Sequence, residues 1–160
     1  MLRYYINLQK IGVDCFLVKM PCNIALFNSN AATKIIEKYQ YKDWYISGHS
    51  MGGAVATMYT EKNASKIKGV ILLAAYPTKK MPEHVKLLSI YGSKDGVLRM
   101  EKYSTGKSYW SENSIELVID GGNHAQFGYY GKQKNDNDAD ISAEEQQKQT
   151  LNSILEFINV

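Results

Sequence analysis

A chain of 160 residues, 44% hydrophobic and 22% charged with a net charge of +3, has the length of one domain and the composition of an ordinary soluble protein. Its lysines are scattered rather than gathered, which argues against a nucleic-acid surface. No stretch approaches the roughly 18 consecutive apolar residues of a membrane span, and Lys10, Asp14 and Lys19 interrupt any secretory core, so a cytoplasmic chain is expected.

Residues 3–10 read as the tail of a helix, with Tyr4, Tyr5 and Leu8 at helical spacing and Gly12 just past its end. Val13 to Val18 is near-continuously apolar, as in a parallel strand covered on both faces, and Pro21 closes it. Cys15 in that strand reads as a small core residue; a disulfide to Cys22 is allowed but not implied. Asn28 to Tyr39 predicts a helix with Ala31, Ile35 and Ile36 as its buried stripe and Asn28 or Ser29 as its cap.

A short β-prone run from Trp44 to Ile46 leads into Gly48-His49-Ser50-Met51-Gly52, which fits G-x-S-x-G, and a helix is predicted from Met51 to about Lys62. Val55, Met58 and Tyr59 would face the sheet. Gly69 to Ala74 is a strongly buried strand, and Lys86 to Tyr91 another, running into the turn-rich Gly92-Ser-Lys-Asp-Gly96. After a helical stretch from about Leu98 to Ser104, Ser114 to Ile119 is the last strand. The loop Gly121-Gly-Asn-His-Ala-Gln-Phe-Gly128 follows it.

Lys132 to Asp140 is polar and reads as an exposed loop. Its Asp136-Asn-Asp-Ala-Asp140 run resembles the start of a calcium loop but has Ile141 where glycine is needed and Gln147 where a bidentate glutamate is needed. Ser142 and Glu145 form a capping box for a final helix whose core stripe is Leu151, Ile154, Leu155 and Ile158. Strands alternating with helices predict an α/β protein, a mainly parallel sheet with helices on both faces and function at the carboxyl ends of the strands.

Three residues suited to acyl transfer fall in such loops: Ser50, Asp95 and His124. A serine hydroxyl is a poor nucleophile until a base takes its proton, and the base needs a carboxylate to fix its tautomer. A serine at the tip of a tight turn is strained and exposed, and side chains at 48 and 52 would collide with the adjacent strand and helix, so Gly48, Gly52 and Gly53 supply the missing bulk. The plainer role for Ser50 is a helix N-cap. Of the three histidines, His49 lies inside the elbow and His84 precedes a strand, which leaves His124. Asp95 is the best-placed acid, with Asp120 in reserve.

Gly48-His-Ser-Met-Gly-Gly53, Gly92-Ser-Lys-Asp-Gly96 and Gly121-Gly-Asn-His-Ala-Gln-Phe-Gly128 resemble the three signature stretches of the α/β-hydrolase superfamily, more narrowly a bacterial branch similar to the dienelactone hydrolases. The resemblance covers nearly the whole chain as a single α/β-hydrolase domain over residues 1–160. It implies Ser50 as nucleophile, Asp95 as orienting acid, His124 as base and the Met51 backbone N–H as one oxyanion donor. It implies a serine hydrolase acting on a small-molecule ester, with no metal or organic cofactor required.

In that family a further strand lies between the one matching Val13 to Val18 and the one leading to Ser50, and the loop after it supplies the second oxyanion N–H. The present sequence lacks it, so the fold is expected to be amino-terminally truncated. Buried orphan backbone groups cost about 1–3 kcal/mol each, which rules out an open gap. Three arrangements follow: the chain is a piece of a longer protein, a second polypeptide completes the sheet, or the flanking strands pair directly. An exposed strand edge would invite a homo-oligomer or a complementing chain. The alternative to catalysis is therefore a weak or inactive remnant acting as a binding module or needing a partner.

Overall fold

The computed structural model describes residues 7–10, 12–20, 22, 24–129 and 131–158. Its elements are α1 (Thr33–Lys38), β1 (Tyr45–His49), α2 (Met51–Lys62), β2 (Gly69–Leu73), β3 (Lys86–Gly92), α3 (Met100–Gly106), β4 (Ser114–Ile119) and α4 (Ala143–Ile158). The strands form one parallel sheet in the order β1-β2-β3-β4, with flanking helices. Tyr45 pairs with Gly69 and His49 with Leu73; Gly69 in turn pairs with Lys86 and Leu73 with Ile90. This is the α/β class that the alternation of periods predicts.

The described chain divides into two compact units: Met1–Leu17, Tyr91–Val97 and Val118–Val160 form one, and Val18–Ile90 and Leu98–Leu117 the other. The second holds the main apolar core. Every residue of β2 is buried, and because successive strand side chains point to opposite faces, both faces are covered. Val70 and Leu72 join Ala56 and Tyr59 of α2, Ile36 of α1 and Leu87 of β3 in one cluster, with Ile67, Ala75, Met81 and Val85. Each fully buried aliphatic side chain contributes roughly 1.5–3 kcal/mol.

The buried face of α2 also carries two threonines. Thr57 Oγ1 donates to the Ala54 carbonyl at 2.7 Å and Thr60 Oγ1 to that of Ala56 at 2.9 Å, so neither hydroxyl is buried without a partner. Val55 and Tyr59 are buried as the spacing predicts, and Met58 half-buried.

Three local expectations are corrected, and one holds as far as the described residues reach. Residues 7–10 are helical, while residues 3–6 of the expected helix lie outside the described residues. Val13 to Val18 belongs to no strand: a strand exists through its ladder, and no described strand pairs with this stretch. Direct pairing of this stretch with the strand before Ser50 is therefore absent among the described residues. The helix expected over Asn28 to Tyr39 shrinks to Thr33–Lys38, preceded by a 3-10 turn over Ala25–Asn28, and its N-cap is Ala32 rather than Asn28 or Ser29. Cys15 is half-buried, Cys22 is exposed and both thiols are free; burial, aided by the charge of Asp14, raises the Cys15 pKa.

The final helix keeps its cap but not its stripe. The Glu145 N–H donates to Ser142 Oγ at 3.1 Å, half of the expected capping box. The buried positions are Gln146, Gln147, Thr150, Ile154 and Phe157; Leu151, Leu155 and Ile158 are half-buried. Polar side chains occupy the buried face at the amino end of α4 because backbone groups of a neighbouring loop need partners there.

Just past β2, Ala74 is buried at φ 51°, a left-handed conformation rare for a residue with a Cβ, and its N–H donates to the Ile90 carbonyl at 2.7 Å. Ala74→Gly should leave stability within about 0.5 kcal/mol, relief of strain offsetting lost chain stiffness. Ala74→Val should cost about 2 kcal/mol or more, since a β-branched residue resists this conformation. Urea unfolding of the two variants compares them.

Candidate active site

The turn joining β1 to α2 has the geometry its glycines suggest. Ser50 sits at φ 52°, ψ −123°, a strained conformation for an L-residue, and its N–H donates to the Leu73 carbonyl of the adjacent strand at 2.9 Å. Its carbonyl accepts the first helical bond, from the Gly53 N–H at 3.0 Å. Although Ser50 occupies the N-cap position, its side chain makes no capping hydrogen bond, so the plainer capping role is not the one observed. Met51 follows as the first helical residue, a position whose N–H has no intrahelical acceptor.

Only two of the three elbow glycines are required by contact. A Cβ at Gly48 would lie 2.3 Å from the Gly52 backbone, and one at Gly53 2.4 Å from the Ala75 Cβ. A Cβ at Gly52 meets nothing within 4 Å among the described residues, which corrects the expectation that residue 52 is held by crowding.

Asp95 and His124 come together. Asp95 lies in the loop after β3, where its N–H closes a turn onto the Gly92 carbonyl at 3.0 Å. His124 lies in the loop after β4, ahead of a 3-10 turn over Ala125–Phe127. Its Nδ1 is 2.8 Å from Asp95 Oδ2, and both side chains are 1% exposed. Because a carboxylate only accepts, Nδ1 carries the proton, which leaves Nε2 as the basic nitrogen. Asp95 Oδ1 accepts from the Val97 N–H at 2.9 Å, which fixes the carboxylate plane.

The two loops approach so closely that glycine is required. A Cβ at Gly92 would lie 2.2 Å from the Gly122 carbonyl oxygen, and Gly121 adopts φ 72°. Lys94 donates its N–H to the Gly122 carbonyl at 2.8 Å and Ser93 to that of Ile119 at 2.9 Å. Behind His124, Gln146 Oε1 accepts the Asn123 N–H at 2.9 Å while Gln146 Nε2 donates to the Asn123 carbonyl at 2.8 Å. Gln147 Nε2 adds a bond to the Gln126 carbonyl at 3.0 Å.

The other candidates have different occupations. Asp120, the reserve acid, accepts from Ser93 Oγ at 3.0 Å, and that hydroxyl also takes the Gly121 N–H at 2.8 Å. His84 Nε2 lies 3.0 Å from the Ala64 carbonyl, outside the loops that carry the dyad. His49 is the last residue of β1. Ser50 is in the unit of Val18–Ile90, Asp95 and His124 in the other.

Sequence reading misses Gln146, Gln147 and Asp136, whose carboxylate bonds to both loops. Paired glutamines on a face that would otherwise be apolar are the one legible signal.

The structure thus combines a parallel α/β fold, a serine on a strained strand-to-helix turn and a buried aspartate–histidine pair. The model of the Alpha/beta hydrolase family matches residues 3–148, and the chain belongs to that family. Among solved structures, Est1E from Butyrivibrio proteoclasticus with ferulic acid bound is similar at 16% identity and a TM-score of 0.65, over 99% of this chain and 83% of that one. A predicted CIB-like hydrolase from Thermoplasma acidophilum matches at 22% identity and a TM-score of 0.55; 82% of this chain is covered, and it spans 61% of that protein's length. MGS-MChE2, an alpha/beta hydrolase enzyme from the metagenome of Mar Chica lagoon sediments in Morocco, matches at 13% identity and a TM-score of 0.59, over 86% and 71% of the two chains. These likenesses establish the fold. No curated protein sequence matches.

The glycine contacts predict an ordered mutational series. Gly48→Ala and Gly53→Ala should each destabilise by about 1–3 kcal/mol, because backbone or a packed side chain must move. Gly52→Ala, which enters open space and gains helix propensity, should be neutral or slightly stabilising. Thermal melts of the three variants read the order directly.

Proposed function

We propose that the chain is a serine hydrolase of carboxylic esters working through an acyl-enzyme, with Ser50 as nucleophile, His124 as base and Asp95 as orienting acid. The observation that carries the reading is the buried 2.8 Å bond between His124 Nδ1 and Asp95 Oδ2, taken with the strained, non-capping Ser50. A buried imidazole held in one tautomer by a carboxylate is what removal of a hydroxyl proton requires.

In this reading Ser50 Oγ attacks the ester carbonyl carbon as its proton passes to His124 Nε2. Asp95 stabilises the imidazolium that forms, and the Met51 N–H donates to the developing oxyanion. His124 then protonates the departing alcohol, and water, deprotonated by His124, releases the acid and restores the serine. Every proton is returned, and no metal or cofactor enters the balance. The ferulic acid bound to Est1E, a carboxylic acid of the kind that ester hydrolysis releases, supports an ester as substrate class. The placement near the dienelactone hydrolases rests on the three motif stretches.

Among the described residues no helix is long and apolar enough to cross a membrane, and a cytoplasmic location is part of the proposal. A second reading has one observation in its favour: β1 ends the sheet among the described strands, as in a domain completed by another copy or chain. In that case the isolated chain would bind without turning over.

Fluorophosphonate labelling separates the two readings. A stoichiometric adduct located on Ser50 by mass spectrometry, absent in Ser50→Ala, is expected for the hydrolase. Asp95→Asn should slow adduct formation by about 10³–10⁴-fold through loss of the tautomer. A chain shown by circular dichroism to be folded that gives no adduct would overturn the catalytic reading in favour of the partner-dependent one.

A further inference from the structure

The Asn- and Asp-rich stretch after Gly131 reads from composition as an exposed loop, yet one of its side chains is half-buried and engaged with both loops of the dyad. The Asp136 N–H donates to the Gln133 carbonyl at 3.1 Å, closing a turn in which Asn135 adopts φ 69°, a conformation asparagine tolerates better than most residues. From this turn the Asp136 carboxylate reaches four backbone N–H groups. Oδ1 accepts from Gly96 at 3.0 Å, from Asn137 at 3.1 Å and at a longer 3.3 Å from His124. Oδ2 accepts from Ala125 at 2.9 Å.

Gly96 is the residue after Asp95, and Ala125 the residue after His124. One carboxylate thus joins the main chain carrying the acid to the main chain carrying the base, although the two bonds span 40 and 11 residues of sequence. Bonds from N–H to an ionised acceptor are about twice as strong as neutral ones, and each carboxylate oxygen has about two acceptor sites, so Gly96 and Asn137 fill those of Oδ1, the 3.3 Å contact from His124 is the weak one, and Ala125 holds Oδ2. The stretch is anchored further by Asn123 Nδ2, which donates to the Asn137 carbonyl at 2.8 Å, and by the Asp140 N–H, which donates to the Gly121 carbonyl at 2.8 Å. Contact is close enough that a Cβ at Gly96 would lie 2.5 Å from the Asn135 carbonyl oxygen.

We propose that Asp136 is a positioning residue for the Asp95–His124 pair: it holds the two loops at the separation at which the imidazole N–H and the carboxylate meet. It acts through the main chain next to the pair, and a misplacement of about 1 Å at such a pair can cost a hundredfold in rate. The kinetic consequence rests on the hydrolase reading above; the structural one does not.

The test uses the full chain and two readouts. The first is the proton NMR resonance of the His124 Nδ1–H, which a bond to a carboxylate moves far downfield of the amides and which His124→Gln identifies by its loss. The second is the rate of fluorophosphonate adduct formation on Ser50, separated into reagent affinity and maximal rate. Wild type and Asp138→Ala, a change in the same stretch at a side chain that bonds exposed Lys132, should give the same resonance and rate. Asp136→Ala should lose or broaden the resonance and lower the maximal rate about 10–100-fold with affinity unchanged. Asp136→Asn should fall between, since its amide keeps an acceptor for Gly96 but turns a donor toward Ala125.

A folded Asp136→Ala protein with the resonance and rate of wild type overturns the proposal, as does a folded wild type with no downfield resonance. Where Asp136→Ala does not fold, Asp136→Asn decides by the same two readings. A resonance that responds to residue 136 in a chain that takes no probe would leave the positioning role standing and overturn the hydrolase reading.

Discussion

At the turn between β1 and α2 the main chain passes so close to itself that a single added methyl group has nowhere to go. Gly48 faces the Gly52 backbone, and Gly53 faces Ala75, each with less space than any Cβ tolerates. This approach sets where α2 starts and lets Ala56 and Tyr59 reach Val70 and Leu72 in the core. It also forces the strained dihedral angles of Ser50, which a relaxed strand-to-helix connection would not produce. The strain is local and modest, on the order of 1–3 kcal/mol, and the apolar burial around β2 is large enough to sustain it.

The other unit adds to its buried Ile119, Phe127, Ile154 and Phe157 a network of polar contacts around the Asp95–His124 pair. Burying an imidazole beside a carboxylate becomes less unfavourable as more of the donors and acceptors nearby are used. That condition explains the company they keep. Gln146 brackets residue 123 by both its N–H and its carbonyl, Asp95 uses its second oxygen on Val97, and Asp136 collects main-chain N–H groups from both loops. The Asp136 stretch, rich in charge and without a helix or strand, is therefore structural in the same sense as a core side chain. Its hydrogen bonds work beside the apolar packing of Ala125 and Phe127 in the histidine loop.

Each unit therefore meets its own requirement. The position of Ser50, the proposed nucleophile, depends on close backbone packing, which is insensitive to charge. The Asp95–His124 pair depends on carboxylate and amide groups, which are directional and specify one geometry. The family match over residues 3–148 takes in the G-x-S-x-G turn and both the aspartate and the histidine loops.

Local physics made much of this legible in the sequence. The helix from Met51 to Lys62 and the strand from Ser114 to Ile119 lie where their patterns place them, and the family follows from three short motifs. The pairing of Asp95 with His124 was accessible because each follows a strand in a glycine-rich loop, a local signature of a residue presented at a sheet end. Tertiary structure decided what has no local cause. Val13 to Val18 has the composition of a strand but no ladder partner among the described strands, and a strand is a property of pairs. Gly52 and Gly53 are the same residue type side by side, and only the position of Ala75 makes one of them obligatory. Asp136 and Gln146 read as a loop aspartate and a helix glutamine until the fold brings backbone groups from distant loops within reach of them. Hydrogen-bond partners across such separations are set by how the chain packs, which no window of sequence contains.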